Sequence, residues 1–326
     1  MVDLIRITKE SGIPLIGLIH IGVVDRGSNL LQVRATTACN MKCTFCSTSA
    51  NSTLHPYNYT VELDYLIETI KEVIKLKDGK VREINIDSVG EPTTYPELVE
   101  LVKQCKNLPE IEFVSMQTNG TLLNKNKIME LEKVGLGRIN LSIHSLNKET
   151  GKSLFGNEFY DLDKILENIK LIYESKIELN LTPVWLPNVN DEDIKELIKF
   201  SKENNYKISI QKYESTKYSR KEKKAKEINW YKFYKQLEVW EKEFNLKLKI
   251  GPNDMNIHRT PRIPLILNRD EIVPITITMP GWMKNEMIGT VKGRSVTILD
   301  SNAKVGQIIR AKVTNTKNSI YLVKKV

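Results

Sequence analysis

Four cysteines in 326 residues are too few, and too unevenly placed, for a disulfide framework. Three of them, Cys39, Cys43 and Cys46, fall within eight residues. In a reducing compartment such clustering points to metal binding or catalysis. Long apolar runs are missing as well, and none reaches the roughly 18 residues that a membrane span needs. Met1–Gly12 has neither the charged-then-apolar pattern of a secretory leader nor the Arg/Ser-rich pattern of a transit segment. These absences lead us to expect a cytoplasmic protein with no membrane partner. No internal repeat or low-complexity tract is visible.

The composition is that of a globular chain, 40% hydrophobic and 27% charged, with a formal net charge of +9. An excess of that sign points toward a polyanionic partner. From Leu30 to about Ile250, short β-rich runs alternate with longer stretches of helical period. Strands are expected at Leu30–Thr36, Glu83–Ser88, Ile111–Gln117, Arg138–Ile143, Glu178–Val184 and Lys207–Lys212. Helices are expected at Val61–Lys77, Tyr95–Asn107, Lys125–Val134, Leu162–Ser175, Asp191–Asn204 and Trp230–Phe244. Asn124, Asp161 and Asn190 stand where N-caps belong. Six βα units in series imply an α/β fold with a parallel sheet and right-handed crossovers. Residues 1–29 read as an N-terminal extension, with a strand at Leu15–Ile21 and a turn at Asp25–Asn29. Residues 30–250 form the main domain, and the proline-bearing stretch 251–270 reads as a linker. The basic run Lys217–Lys226 reads as a solvated loop or helix end.

Residues 271–326 contain five short β runs, the size of a small OB-like barrel. They hold nine basic residues against three acidic ones, a net of +6 out of the chain's +9. A small basic barrel suits RNA.

The cysteine segment reads Arg34-Ala35-Thr36-Thr37-Ala38-Cys39-Asn40-Met41-Lys42-Cys43-Thr44-Phe45-Cys46, directly after the first expected strand of the main domain. Three thiolates can hold three irons of a cubane and leave the fourth iron open. A Cys3His zinc site with His55 is the other reading of these residues. Cys105 stands alone in a predicted helix and reads as an inert buried thiol.

The spacing, with Phe45 before the third cysteine, resembles the signature of the radical S-adenosylmethionine (SAM) superfamily. That resemblance implies a partial (β/α)6 barrel and a [4Fe–4S] cluster on Cys39, Cys43 and Cys46. It also implies reductive cleavage of SAM to a 5′-deoxyadenosyl radical that abstracts a substrate hydrogen. Ser88-Val89-Gly90-Glu91-Pro92 resembles the family's Gly-Gly-Glu-Pro, with Val89 in place of the first glycine. By that likeness Gly90, Glu91 and Pro92 hold the SAM amino group. Phe45 beside the cysteines, and Ser142, His144 and Thr182 on the fourth and fifth strands, are the further cofactor contacts it implies. Thr118-Asn119-Gly120 is similar to a motif common in the family. Asn119, and Gln211 and Lys212 at the end of the sixth strand, are candidate substrate contacts.

Gly289–Val296 with Val305-Gly306-Gln307 resembles the TRAM domain of RNA-modifying enzymes, with Lys292, Arg294, Arg310 and Lys312 as its candidate RNA contacts. The expected function is hydrogen abstraction from a nucleotide of RNA, tRNA foremost, with ferredoxin or flavodoxin as electron donor. The alternative substrate is a peptide, a lipid or a small metabolite. Methylthiolation by a second cluster would need cysteines that this sequence lacks.

Overall fold

The computed structural model describes residues 3–216 and 219–326. Within the basic run noted above, Lys217 and the following Tyr218 lie outside the described residues. Two compact units emerge. One comprises residues 1–38, 52–114 and 258–326, and the other residues 39–51 and 115–257.

The first unit opens with strand β1 (Asp3–Ile7), which runs parallel to β4 (Tyr57–Val61). Between them β2 (Gly22–Asp25) and β3 (Leu30–Arg34) form an antiparallel hairpin around the expected turn. Helix α1 (Leu63–Leu76) buries Leu63, Leu66, Ile67, Ile70, Val73 and Ile74, the i, i+3, i+4, i+7 stripe of an amphipathic helix. Strand β5 (Glu83–Ile86) pairs parallel with β3, and α2 (Leu98–Lys106) follows. Cys105 on α2 is fully buried, as expected, and burial pushes its thiol up to about 12.

Strand β6 (Phe113–Thr118) carries the chain into the second unit. There α3 (Lys125–Lys133), β7 (Arg138–Leu141), α4 (Lys148–Phe155), α5 (Leu162–Glu174) and β8 (Glu178–Leu181) follow. Then come β9 (Val184–Trp185), α6 (Asp191–Glu203), β10 (Lys207–Ile208), β11 (Gln211–Lys212) and α7 (Trp230–Phe244). Strands β6, β7, β8 and β10 lie parallel in that order, and β9 pairs parallel with β11. Asn124 and Asp161 cap their helices through their side chains, accepting from Lys127 N and Lys164 N. Asn190 does not. Its Oδ1 accepts from Leu186 N, and its Nδ2 donates to the carbonyls of His144 and Val184, so it ties two strand ends together.

The first unit closes with β12 (Ile272–Pro280), β13 (Met287–Val291), β14 (Arg294–Leu299), β15 (Ile308–Asn315) and β16 (Leu322–Lys325) in a closed barrel. Alternate residues of β12 and β15 point inward, and the barrel is filled by Ile275, Ile277, Val296, Ile298, Ala311, Val313 and Tyr321.

The expected strand at Leu15–Ile21 is absent, because Gly17 and Gly22 take positive φ and fold the chain back on itself. The carbonyls of Pro14, Ile16 and Gly17 instead accept from Ser295 Oγ, Ser295 N and Tyr321 N of the barrel. Within 251–270, Thr260 N reaches the Gly27 carbonyl. Ile263 N reaches Asp25, whose carboxylate also holds the wholly buried Lys77 at 2.8 Å. Lys77 in turn donates to the Pro261 carbonyl. Residues 258–263 of the expected linker are therefore hydrogen-bonded along the β2–β3 hairpin.

Candidate functional site

The cysteine loop, residues 39–51, sits in the second unit, and three elements of that unit hold it. The end of α4 supplies the Phe155 and Leu154 carbonyls, which accept from Lys42 N and Thr44 N. Gly156 caps α4 at φ +59°, and a Cβ there would overlap the Lys42 carbonyl oxygen, so a side chain would push the loop away. Thr118-Asn119-Gly120 holds the loop from a second side. Asn119 Nδ2 donates to Asn40 Oδ1 at 3.0 Å, and Asn40 Nδ2 donates to Thr121 Oγ1 at 2.8 Å. The third element is the segment read as solvated. Arg220 donates from its guanidinium to the carbonyls of Cys43 and Ala50, its own N–H reaches the Cys46 carbonyl, and Ser219 Oγ donates to the Ser47 carbonyl. A run of Lys and Glu gives no signal that one arginine turns inward, and sequence reasoning missed it.

The three thiols are half-buried and none is in a disulfide. Burial pushes Cys43 well above the usual thiol range, its neighbours Cys46 and Cys39 add to that, and Arg220 opposes it. Cys46 and Cys39 both act on Cys43, so the three sulfurs share one region, and a cationic iron core would relieve the crowding at Cys43. Among the described residues, no three His, Cys, Asp or Glu side chains converge on a single-ion site. A cubane needs no such convergence, since each thiolate takes a different iron. The donor set therefore fits a cluster better than zinc. His55 is engaged elsewhere, its Nδ1 on the Trp282 carbonyl and its ring stacked 4.2 Å from that of Trp282.

Phe45 is buried against Leu154, Leu186 and Tyr213 and meets the His144 ring edge-on at 4.8 Å. His144 is itself buried, and burial lowers its pKa to about 3, so it is neutral. Its Nδ1 accepts from Val184 N at 3.0 Å. That nitrogen is committed to the backbone, which makes His144 a support for Phe45 and β9. Ser142 and Thr182 are joined by a residue that sequence reasoning gave no role. Gln117 Nε2 donates to Ser142 Oγ at 3.0 Å and to Thr182 Oγ1 at 2.9 Å. Asn119, buried at 7% exposure, donates to the cysteine loop. Gln211 is exposed, while the side chain of Lys212 is buried to 5% exposure, with its ammonium 5.3 Å from the Trp230 ring centre.

In the first unit, Glu91 N donates to the Ala38 carbonyl, the residue before Cys39. A Cβ on Gly90 would overlap the carbonyl oxygens of Thr37 and Ala38, so only glycine fits there. Glu91 is buried at 2% exposure, with Oε1 accepting from Thr93 N and Thr93 Oγ1. Pro92 is buried at the start of the short turn that Glu91 caps.

The barrel's expected RNA contacts are mostly engaged. Lys292 pairs with Glu271 at 3.1 Å and Lys312 with Asp270 at 2.8 Å. Arg294, with its side chain at 11% exposure, reaches Glu72 of α1 at 3.3 Å. Arg310 is exposed.

The family profile described as the Radical SAM superfamily matches residues 33–201. An uncharacterized protein of Methanocaldococcus jannaschii is 34% identical over 96% of this chain and 79% of its own length. A GTP 3′,8-cyclase of Clostridium perfringens is 30% identical over 55% of this chain, and the match spans only 53% of the cyclase. Among solved structures, SuiB of Streptococcus suis bound to S-adenosylmethionine aligns with a TM-score of 0.52 at 22% identity. That alignment covers 68% of this chain and 49% of SuiB, a likeness of fold alone.

Proposed function

Because the chain belongs to the radical SAM superfamily, whose members use a [4Fe–4S] cluster and SAM, we propose that it is an enzyme abstracting hydrogen from its substrate, with Cys39, Cys43 and Cys46 as the cluster ligands. When bound, the cluster and SAM supply a one-electron route to hydrogen abstraction. The chain's own residues do the rest. Arg220, Asn119 with Thr121, and the end of α4 hold the cysteine loop in one shape. The tight Gly90 turn presents backbone oxygens and the Glu91 carboxylate for the cofactor's ammonium, a charge-assisted contact. Ser142 and Thr182, aligned by Gln117, serve its polar groups. A low-potential donor of the ferredoxin or flavodoxin class delivers the electron.

The observation that carries this reading is the cysteine loop, three thiols in one region on a loop that three separate elements hold by hydrogen bonds. Anaerobic reconstitution tests it. About four irons per chain are expected, as is 5′-deoxyadenosine on reduction with SAM, and both are lost on changing the three cysteines to Ala. Stoichiometric zinc in anaerobically purified protein would remove the reading.

For the substrate, the net charge of +6 on the closed barrel supports an RNA nucleotide, tRNA included, held by a TRAM-like domain. The ion pairs of Lys292, Lys312 and Arg294 weaken it. A small metabolite is the second reading, favoured by a cavity of about 390 Å³ lined wholly by the second unit. A filter-binding titration of the whole protein with tRNA across salt concentrations separates them. An affinity that falls steeply with salt supports RNA, and no binding near 100 mM salt refutes it.

A further inference from the structure

The 390 Å³ cavity of the second unit has an unusual wall. Gln117 on β6 is in register with Asn140 on β7, and Asn140 with Asn180 on β8. Three carboxamides thus stand in a row across three adjacent parallel strands, and all three line the cavity. Strands of a parallel sheet are ordinarily apolar on both faces. Asn140 and Asn180 are 8% and 3% exposed, and such buried amides cost free energy unless their hydrogen bonds are made. Asn180 Nδ2 donates to Asn140 Oδ1 at 2.9 Å, and Ser209 Oγ donates to Asn180 Oδ1 at 3.0 Å. These bonds align the row. They leave Asn180 one N–H and one lone pair, and Asn140 both of its N–H groups, for whatever the cavity holds.

To the same cavity α7 contributes Trp230, Phe233 and Tyr234. Trp230 and Tyr234 stack at 5.7 Å between ring centres, and Trp230 is half-exposed. Beside Trp230 stands Lys212, the one charged side chain among the described residues lining the cavity, and none of them is Asp or Glu. Neutral donor–acceptor groups and aromatic rings line the same cavity with a single cation, Lys212, whose buried ammonium also pairs with the half-exposed Glu214 at 3.5 Å. That chemistry matches a flat heterocycle with a mixed donor–acceptor edge and an anionic tail. A cationic amine would find no counter-charge, and an aliphatic chain would leave the amides unpaired. The volume is within the usual range for small-ligand sites, roughly 300–1,000 Å³.

We propose that this cavity is the substrate site and that it takes a nucleotide, its base edge on Asn140 and Asn180, its ring face on Trp230 and its phosphate toward Lys212. The inference rests on the hydrogen-abstraction reading above and names that reaction's substrate class. The nucleotide is either free or a unit of an RNA strand, and the chemistry of the cavity is the same for both.

The test uses cluster-loaded, oxidised enzyme with saturating SAM and calorimetric titration of the four ribonucleoside 5′-monophosphates, the matching nucleosides and a short mixed-sequence oligoribonucleotide. At least one mononucleotide or the oligonucleotide binds. Trp230→Ala and Asn180→Ala each weaken binding tenfold or more, the scale of base–aromatic stacking and of a lost base contact. Lys212→Ala weakens the phosphorylated probe and leaves the nucleoside alone. Lys232→Ala, on an exposed position of α7, changes nothing. Binding of the free mononucleotide identifies a free substrate. Binding of the oligonucleotide alone, with the same dependence on Trp230, identifies an RNA substrate. The proposal falls if no probe binds at millimolar concentration, if Trp230→Ala and Asn180→Ala leave affinity unchanged, or if SAM displaces the probe, which would give the cavity to the cofactor. Reductive SAM cleavage by the wild-type enzyme is read separately. If cleavage is present but no nucleotide binds, only this inference fails. If cleavage is absent, the enzymatic reading fails with it.

Discussion

Arg220→Ala removes two charge-assisted hydrogen bonds from the backbone of the cysteine loop, those to the Cys43 and Ala50 carbonyls. Hydrogen bonds from charged groups contribute about 1.5–3 kcal/mol each when the acceptor cannot find a substitute. Arg220 is only half-buried, so water reaches part of the vacated space and the lower end applies, about 2–3 kcal/mol for the pair. At 1.4 kcal/mol per tenfold, local opening of residues 39–51 rises by roughly 30- to 150-fold. The contact is local, so global unfolding is expected to move far less. Amide exchange of the apoprotein reads the loop directly and needs no cofactor. Protection across residues 39–51 should fall by that factor, while α1 and the C-terminal barrel keep theirs. In reconstituted protein, a chelator should bleach the cluster absorbance tens of times faster. Arg220→Lys restores the charge but not the two-armed fork, and should recover only part of the protection. Wild-type exchange in Arg220→Ala would refute the claim that this segment holds the loop.

Other perturbations have equally direct readouts. Lys77→Met leaves the Asp25 carboxylate buried and unpaired, so denaturant titration should show a loss of about 3–5 kcal/mol, and adding Asp25→Asn should recover part of it. His20 and His144 are buried neutral with pKa lowered to about 3 by burial, with Arg34 and His55 as smaller causes for His20. Unfolding lets them protonate near 6.5, so each takes about 1.4 kcal/mol of stability per pH unit between that value and its folded pKa as pH falls. His20 Nε2 is buried without a hydrogen-bond partner, so His20→Phe should flatten that acid limb at little cost near neutrality, and an unchanged slope would refute this. Gly156→Ala should displace Lys42 and lower iron content after reconstitution while far-ultraviolet circular dichroism is retained. Arg294→Ala should lower thermal stability more than it lowers any RNA affinity, since its partner is Glu72.

Much of this protein is legible without coordinates, because it is written in local patterns. Periodicity located six of the seven α-helices among the described residues to within about three residues, since burying one stripe demands the same spacing wherever the helix packs. It overran α1, whose expected first residue, Val61, ends β4 instead. It missed α4 altogether, whose apolar residues are few, and β4, whose partner β1 lies some fifty residues away. The five strands of the C-terminal barrel were read within about three residues, because alternation of period two is equally local. The cysteine spacing was legible for the same reason, since thiolates on one short loop need no distant partner to be recognised.

Tertiary structure alone decided what depends on pairing between distant residues. Asn119, taken for a substrate contact, holds Asn40, and His144, taken for a cofactor contact, receives the Val184 amide. Arg220 turns inward from a run of charges, and the barrel's cations find carboxylates, one of them as remote in sequence as Glu72. The row of Gln117, Asn140 and Asn180 exists only through strand register, which no window of sequence encodes. The type of a polar residue limits what it can do. What it does is set by which donor or acceptor the fold brings within about 3 Å, the reach of a hydrogen bond.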